Sequence, residues 1–174
     1  MENLPHLESL KNMKLLKVDF IRGLGIIEHR FVLSFESNDE KIDFEIETNF
    51  RIREKDKMLL CFNDLYLDSK RKVMSVKKYR SQTNIEKSYL SKQLEIINYN
   101  LKDAKPKRIT LKKYGDIIIA FSKNGTIFEI QNDTHVEDAV LYRILYKKGD
   151  YFDSYEVIIE NNSLVLKQID YLHL

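Results

Sequence analysis

Apolar and polar residues alternate along most of the chain, which is the pattern of β-strands with one buried face. The first such run starts at Lys14, and its predicted inward residues are Leu16, Val18 and Phe20. Gly23 and Gly25 then predict a turn or a bulge. Ahead of this strand, Leu7 and Leu10 predict a short opening helix that lays leucines against the core.

Two segments resemble each other, and each predicts a β-hairpin with one apolar face. They are RFVLSFESNDEKIDFEI, residues 30–46, and GDIIIAFSKNGTIFEI, residues 115–130. In the second, Asn124 and Gly125 predict a two-residue turn, because the favoured hairpin turn needs positive φ at both positions. Aligning the segments matches two phenylalanines of one with two of the other: Phe35 with Phe121, and Phe44 with Phe128.

We interpret this likeness as an internal duplication of a three-stranded β-meander. A comparable strand precedes each hairpin, and the related halves cover approximately 14–66 and 107–169. The duplication predicts that the four aligned phenylalanines occupy equivalent inward places in twin sheets. The alternative is that any two amphipathic hairpins look alike.

The clearest helical pattern, residues 84–101, joins the two halves. Thr83 and Glu86 make a capping box at its start. An apolar stripe at helical spacing predicts that this helix packs on a sheet, and the stripe consists of Ile85, Tyr89, Leu90, Leu94, Ile97 and Leu101. Three more strands follow in AVLYRILYK, YEVIIE and SLVLKQI. A helix is the alternative for AVLYRILYK, because the preceding HVED resembles a helix start, but its β-branched and aromatic residues favour a strand. The predicted fold is therefore α+β, with mostly antiparallel β-meanders and one central amphipathic helix, in a single domain spanning 1–174.

The composition indicates the cellular location and argues against some classes of partner. The chain has 174 residues, 29 basic and 27 acidic, so its formal net charge of +2 provides no global attraction to nucleic acid or to an anionic membrane. Its longest apolar runs fall short of the roughly 18 residues that a transmembrane helix needs, and we expect no secretory signal. A single cysteine, Cys61, fits a reducing compartment, so the expected location is cytoplasmic.

Acidic residues concentrate around the turn and the second strand of the first hairpin. We predict these as partner-binding residues: Asp39, Glu40, Asp43, Glu45 and Glu47. The last three leave the same face of one strand, about 7 Å apart from one to the next. Such a row keeps a sheet edge from aggregating, or it offers a complementary surface to a basic protein partner.

A basic run extends from residue 70 to residue 92 and is the alternative contact, for nucleic acid. Its proposed contacts are Lys70, Arg71, Lys72, Lys77, Lys78 and Arg80, with Tyr79 and Tyr89 interleaved. Cations of this kind contact phosphates, and aromatic rings stack on bases. The other interpretation is an ordinary solvated surface.

Catalytic and metal motifs give only weak signals. Asp133, His135 and Glu137 include types that ligate divalent metals, but their spacing fits neither zinc nor calcium motifs, which favours a polar loop. Asp64 and Asp68 resemble an acid–base pair, but a strand would hold them about 13 Å apart, and a loop cap is the better interpretation. The sequence has no nucleophile elbow, phosphate loop or HExxH motif. We therefore predict no catalytic residue, no metal and no cofactor.

The two quoted hairpins, with NFRI following the first, resemble small bacterial proteins built from a β-meander, a middle helix and a second β-meander. Some of these look like immunity proteins encoded beside polymorphic toxins. The resemblance implies a non-enzymatic intracellular protein that neutralises a protein partner, such as a toxin or effector with a basic surface. It carries over no active-site residues. A nucleic-acid-associated protein is the second hypothesis, and an enzyme centred on Asp64, Asp133 and His135 is the third.

Overall fold

The computed structural model describes residues 4–22, 29–75, 89–112, 115–132, 139–161 and 163–170. These ranges hold one α-helix, α1 (Tyr89–Leu101), and eleven β-strands. The strands are β1 (Lys14–Arg22), β2 (His29–Ser37), β3 (Glu40–Ile46), β4 (Asn49–Glu54), β5 (Lys57–Cys61), β6 (Pro106–Leu111), β7 (Ile117–Phe121), β8 (Thr126–Gln131), β9 (Val140–Lys148), β10 (Tyr151–Glu160) and β11 (Ser163–Gln168). Short 3₁₀ helices cover Glu8–Asn12, Phe62–Tyr66 and Lys123–Gly125.

The strands form two sheets in which every pairing is antiparallel, as the alternating pattern predicts. The six-stranded sheet has the order β1-β2-β3-β9-β10-β11, and the five-stranded sheet has the order β5-β4-β8-β7-β6. The predicted α+β class with mostly antiparallel strands is confirmed. Each predicted strand of the tail exists, at β9, β10 and β11.

The inner faces of the two sheets share one hydrophobic core. At one end of β2, the Phe35 ring lies parallel to that of Phe121 on β7, with centroids 6.4 Å apart. Four residues earlier, the Phe31 ring stacks at 4.0 Å on that of Phe50 on β4. A single strand of one sheet therefore reaches across β7, β8 and β4 of the other, so the strands of the two sheets cross at a large angle.

The two meanders exchange strands between the sheets. The chain leaves the six-stranded sheet after β3 and enters the five-stranded sheet as β4, and it makes the reverse passage from β8 to β9. The registers match: Phe44 lies between Leu33 and Ile144, and Phe128 lies between Ile119 and Ile52. All four aligned phenylalanines are buried, namely Phe35, Phe44, Phe121 and Phe128. Descent from one duplicated unit stays a prediction.

The helix α1 lies where the edge strands of the two sheets meet, with contacts to both β1 and β5. Its buried residues are Leu90, Leu94, Ile97 and Leu101, which confirms the described part of the predicted apolar stripe. The predicted capping box of Thr83 and Glu86 lies outside the described residues, as does Ile85.

The side chain of Asn98 on α1 completes the hydrogen bonding of the edge strand β1. The amide N–H of Val18 donates to Asn98 Oδ1 at 2.7 Å, and Asn98 Nδ2 donates to the carbonyl of Val18 at 2.8 Å. One side chain thus takes the place of a neighbouring strand at a buried residue. This contact both anchors the helix and covers an edge that would otherwise be open to pairing.

We expect Asn98→Leu to lower the free energy of unfolding by about 2–4 kcal/mol, because two buried backbone groups lose their partners. Urea unfolding at equilibrium measures this value. Asn98→Asp retains the acceptor for the Val18 amide but places a carboxylate oxygen against the Val18 carbonyl, so it should destabilise the fold as well. The control is Asn100→Leu, about 200° further around the helix, and an equal loss there would contradict the edge-strand explanation.

The prediction for the first strand was wrong in one respect. Leu16 was expected to point inward, but it is 50% exposed, while Leu15 is buried. The register of β1 against β2 shifts between Leu15 and Lys17, so a β-bulge turns Leu16 outward before the expected alternation resumes at Val18. Alternation alone does not reveal an inserted residue.

The opening helix is confirmed as the 3₁₀ helix Glu8–Asn12, where Leu10 is buried. The hairpin turn has the predicted positive φ at Asn124 (57°) and at Gly125 (64°). The prediction of a two-residue turn was wrong, because four residues, 122–125, separate β7 from β8. The predicted turn at glycines 23 and 25 lies outside the described residues.

Candidate functional site

Two hairpin turns lie side by side at one end of the six-stranded sheet. The amide of Gly149 in the β9–β10 turn donates to the carbonyl of Asp39 in the β2–β3 turn at 3.4 Å. Beside them, Lys148 Nζ donates to Glu40 at 2.7 Å. This hydrogen bond lowers the pKa of Glu40. We call this region the turn end and define it as residues 36–41, 147–155 and 168–170.

A buried carboxylate organises the turn end. Asp153 is 5% exposed and accepts hydrogen bonds from the Tyr155 hydroxyl at 2.5 Å, from Gln168 Nε2 at 2.9 Å and from the Tyr151 hydroxyl at 3.2 Å. The His6 ring nitrogen Nε2 lies 3.6 Å away. Burial raises the pKa of Asp153, but these hydrogen bonds outweigh it and hold the pKa below its ordinary value. A carboxylate whose oxygens are occupied in this way is a structural anchor and a poor general base.

Aromatic rings surround this carboxylate. The His6 ring lies flat on that of Tyr146, with centroids 3.8 Å apart and planes 4° apart. The Tyr151 ring meets Tyr146 edge-on at 6.1 Å. His6 holds a positive φ of 61°, which is unfavourable for a residue with a Cβ. The ring stack and the contact with Asp153 keep this residue, and the N-terminal segment, against the turn end.

We expect Asp153→Asn to lower the free energy of unfolding at neutral pH by roughly 1.5–3 kcal/mol, the usual worth of hydrogen bonds to a charged group. The folded pKa of Asp153 lies below the unfolded value of about 3.9. Its stabilisation is therefore complete above that value and disappears as the pH falls through the folded pKa. Urea unfolding across a pH series should show the difference from wild type shrinking only in acid. The exposed pair member Glu160, changed to Gln, should show little difference at any pH.

Two large aromatic side chains are exposed at the turn end. Tyr151 is 58% exposed and Phe152 is 40% exposed, and as sequence neighbours they lie on opposite faces of β10. Both line a depression of about 580 Å³, together with the exposed residues Asp150, Gln168 and Asp170. The turn end therefore presents aromatic area beside carboxylates, a combination that binds cationic side chains.

The structure divides the predicted acidic residues into two groups. Asp39 and Glu40 belong to the turn end, where Glu40 lies on the same strand face as the buried Ile42. Asp43 and Glu45 lie on the outer face of the six-stranded sheet, and Glu47 directly follows β3. The five residues therefore do not form one outer face.

Basic neighbours neutralise the acidic residues of the outer face. Arg30 lies 2.9 Å from Glu45 and 3.2 Å from Glu47. Arg143 also pairs with Glu47, and Lys41 lies 2.7 Å from Asp43. Because Glu45 is only 6% exposed, its carboxylate is unsuited to contact a partner.

The predicted nucleic-acid contacts are described only in part. Lys70, Arg71 and Lys72 are exposed on a turn whose amides, at residues 70 and 72, donate to Asp68 Oδ1 at 2.9 and 3.0 Å. The Arg71 guanidinium lies 4.9 Å from the ring centre of Tyr89 on α1. Lys77, Lys78 and Arg80 lie outside the described residues.

The weak catalytic and metal candidates have structural explanations where they are described. Asp64 Oδ2 accepts from the amide of Cys61 at 2.9 Å and caps the 3₁₀ helix Phe62–Tyr66. Burial raises the pKa of the Cys61 thiol, which makes it less reactive. Asp133, His135 and Glu137 lie outside the described residues, and within them no three His, Cys, Asp or Glu side chains form a metal-binding group.

The described part of the chain has no helix with the length and apolar content needed to cross a membrane.

The central residues of the turn end were not predicted from the sequence. The signal was present in YFDSY, where Tyr151, Asp153 and Tyr155 alternate and so share one strand face. The remaining partners, His6 and Gln168, come from elements at opposite ends of the chain. Their convergence depends on the strand order and not on any local pattern.

Comparisons with protein-family models, with curated proteins and with solved structures found no match to this chain.

Proposed function

We propose that the chain is a non-enzymatic, intracellular protein-binding protein of the immunity or inhibitor type, and that it binds a basic protein partner through the turn end. One observation carries the proposal: Tyr151 and Phe152 are exposed beside a depression lined by carboxylates. Exposed aromatics in such a place are costly in water and are the residue type that dominates binding energy at interfaces.

The turn end is also preorganised for binding. The hydroxyl of Tyr151 donates to the buried Asp153, so the ring is held in place before a partner arrives. A side chain that is already fixed loses little conformational entropy on binding. The carboxylates of Asp39 and Asp150 stand exposed on the two adjacent turns, where they attract a cationic surface at long range.

Photocrosslinking in cells that express the chain tests the proposal. A photoreactive phenylalanine analogue at Tyr151 should capture one dominant protein with a basic surface. The same analogue at Glu160, at the other end of β10, should not capture it. Equal capture from both positions, or no protein captured from Tyr151, would contradict the proposal.

With the captured protein purified, Tyr151→Ala should weaken its binding by about 2 kcal/mol or more, the loss typical of a central aromatic. The charge reversals Asp39→Lys and Asp150→Lys together should slow association, with a weaker salt dependence of the rate. Surface plasmon resonance separates the two effects. Glu160→Lys makes a comparable charge reversal away from the turn end and should leave both rates unchanged.

A further inference from the structure

We propose a second interaction surface, on the exposed side of α1 and the β6 strand that follows it, which binds single-stranded nucleic acid. It borders the turn end at the groove between Lys105 and Glu36, and it does not depend on the function proposed for that region. This surface extends from the helix into the basic run 102–112.

The outer side of α1 exposes apolar and aromatic residues at positions where an amphipathic helix usually has polar ones. Ile96 is 47% exposed and Tyr99 is 83% exposed, the highest exposure among the described large hydrophobic residues. At 100° per residue, Tyr89, Lys92, Ile96 and Tyr99 lie along one stripe, opposite the buried face of α1. We call this stripe the helix face.

Cations stand at both ends of the helix face. At its start, the Arg71 guanidinium covers the ring of Tyr89, with Lys70 and Lys72 exposed on the same turn. At its end, Lys123 Nζ donates to the carbonyl of Lys102, which brings the β7–β8 turn beside the last turn of α1. The stripe between Tyr89 and Tyr99 is about 15 Å long at the rise of an α-helix.

The basic run 102–112 continues this surface along β6, the edge strand of the five-stranded sheet. Its exposed cations are Lys102, Lys105, Lys107, Arg108 and Lys112. In the described part of the chain, no carboxylate lies within ion-pair distance of the first four, while Lys112 lies 3.8 Å from Asp116. The carboxylates near these cations are fewer than the cations themselves. They are Glu95 on the helix, Asp103 in the turn, and Glu36 across a groove from Lys105.

This surface combines exposed cations along an extended path with an exposed tyrosine. Single-stranded nucleic acid requires both features of its binding site. Phosphates contact the lysines and arginines, and an unpaired base stacks on the ring of Tyr99. A duplex hides the faces of its bases and gains nothing from this ring. The pair Ile96 and Tyr99 offers too little apolar area for an anionic membrane to be the better occupant.

The test measures fluorescence anisotropy of a labelled oligothymidylate of about 15 nucleotides with the full chain, at several salt concentrations. The wild type should bind with an affinity that falls steeply with salt. The triple variant Lys102→Glu, Lys105→Glu, Arg108→Glu should lower the slope of log affinity against log salt by about 2, from roughly 0.7 per contacted phosphate. Tyr99→Ala should weaken oligothymidylate binding about tenfold and leave duplex binding unchanged.

The control is a second triple variant at three exposed lysines outside both proposed surfaces, Lys17→Glu on β1, Lys57→Glu on β5 and Lys167→Glu on β11, which changes the net charge equally. It should bind the oligonucleotide like the wild type. The proposal is overturned if this control loses as much affinity as the first triple, if Tyr99→Ala binds normally, or if the wild type fails to bind at low salt. It is also overturned if phosphatidylglycerol vesicles bind while the oligonucleotide does not.

Discussion

Arg143→Leu is expected to lower the free energy of unfolding by about 3–5 kcal/mol. This loss is expected even though leucine is a residue that buried positions of a sheet usually accept. Arg143 is only 9% exposed. It pairs with Glu47 and, at 2.6 Å, with Glu156, and it lies opposite the buried Glu45 in the register of β3 and β9. Leucine would remove the cation that pairs with Glu156 and one of the two cations that pair with Glu47, in a place that water reaches poorly. Urea unfolding at neutral pH measures the loss.

The matched control is Arg51→Leu, because Arg51 occupies the equivalent position in the five-stranded sheet. It lies opposite Glu129, as Arg143 lies opposite Glu45. Arg51 is 42% exposed, and Glu129 keeps a second partner in Arg53 at 3.2 Å. The expected cost is therefore below about 1 kcal/mol. An equal loss of unfolding free energy at both positions would show that burial does not determine how much these ion pairs stabilise the fold.

Much of the fold was predictable because it is encoded locally. The alternating residues of the first hairpin and the positive φ of Asn124 and Gly125 each depend on a few neighbouring positions. The same is true of the described part of the apolar stripe on α1. The bulge at Leu16 was not predictable, because the alternation of apolar and polar residues does not show where a strand contains an inserted residue.

The outer-face carboxylates show why the candidate site was only partly predictable. From the sequence, Glu45 and Glu47 appear as a row of unrelieved negative charge. Their cations are Arg30 on the preceding strand and Arg143, almost a hundred residues away. Only the strand exchange places β9 beside β3. Because of this long-range strand pairing, the predicted binding surface is an ion-pair network. The candidate site is therefore assigned to the turn end.

The packing between the two sheets leads to the other large effect. Phe35→Ala is expected to lower the free energy of unfolding by about 3–5 kcal/mol, as usual for a buried phenylalanine. Phe35 is fully buried, and its ring faces Phe121, which in turn meets Phe128 edge-on at 5.5 Å. Removing the ring opens a cavity between the sheets. Chemical unfolding measures the loss, with Phe152→Ala as the control.

Phe152 is 40% exposed, so its replacement should cost less than about 1 kcal/mol. A double-mutant cycle of Phe35→Leu with Phe121→Leu then isolates the contact between the sheets. Its expected coupling is about 0.5–1.5 kcal/mol, the range for aromatic pairs. The two residues lie on different sheets and belong to the two predicted halves of the chain. Strict additivity would mean that the contact between these two rings does not stabilise the packing of the sheets.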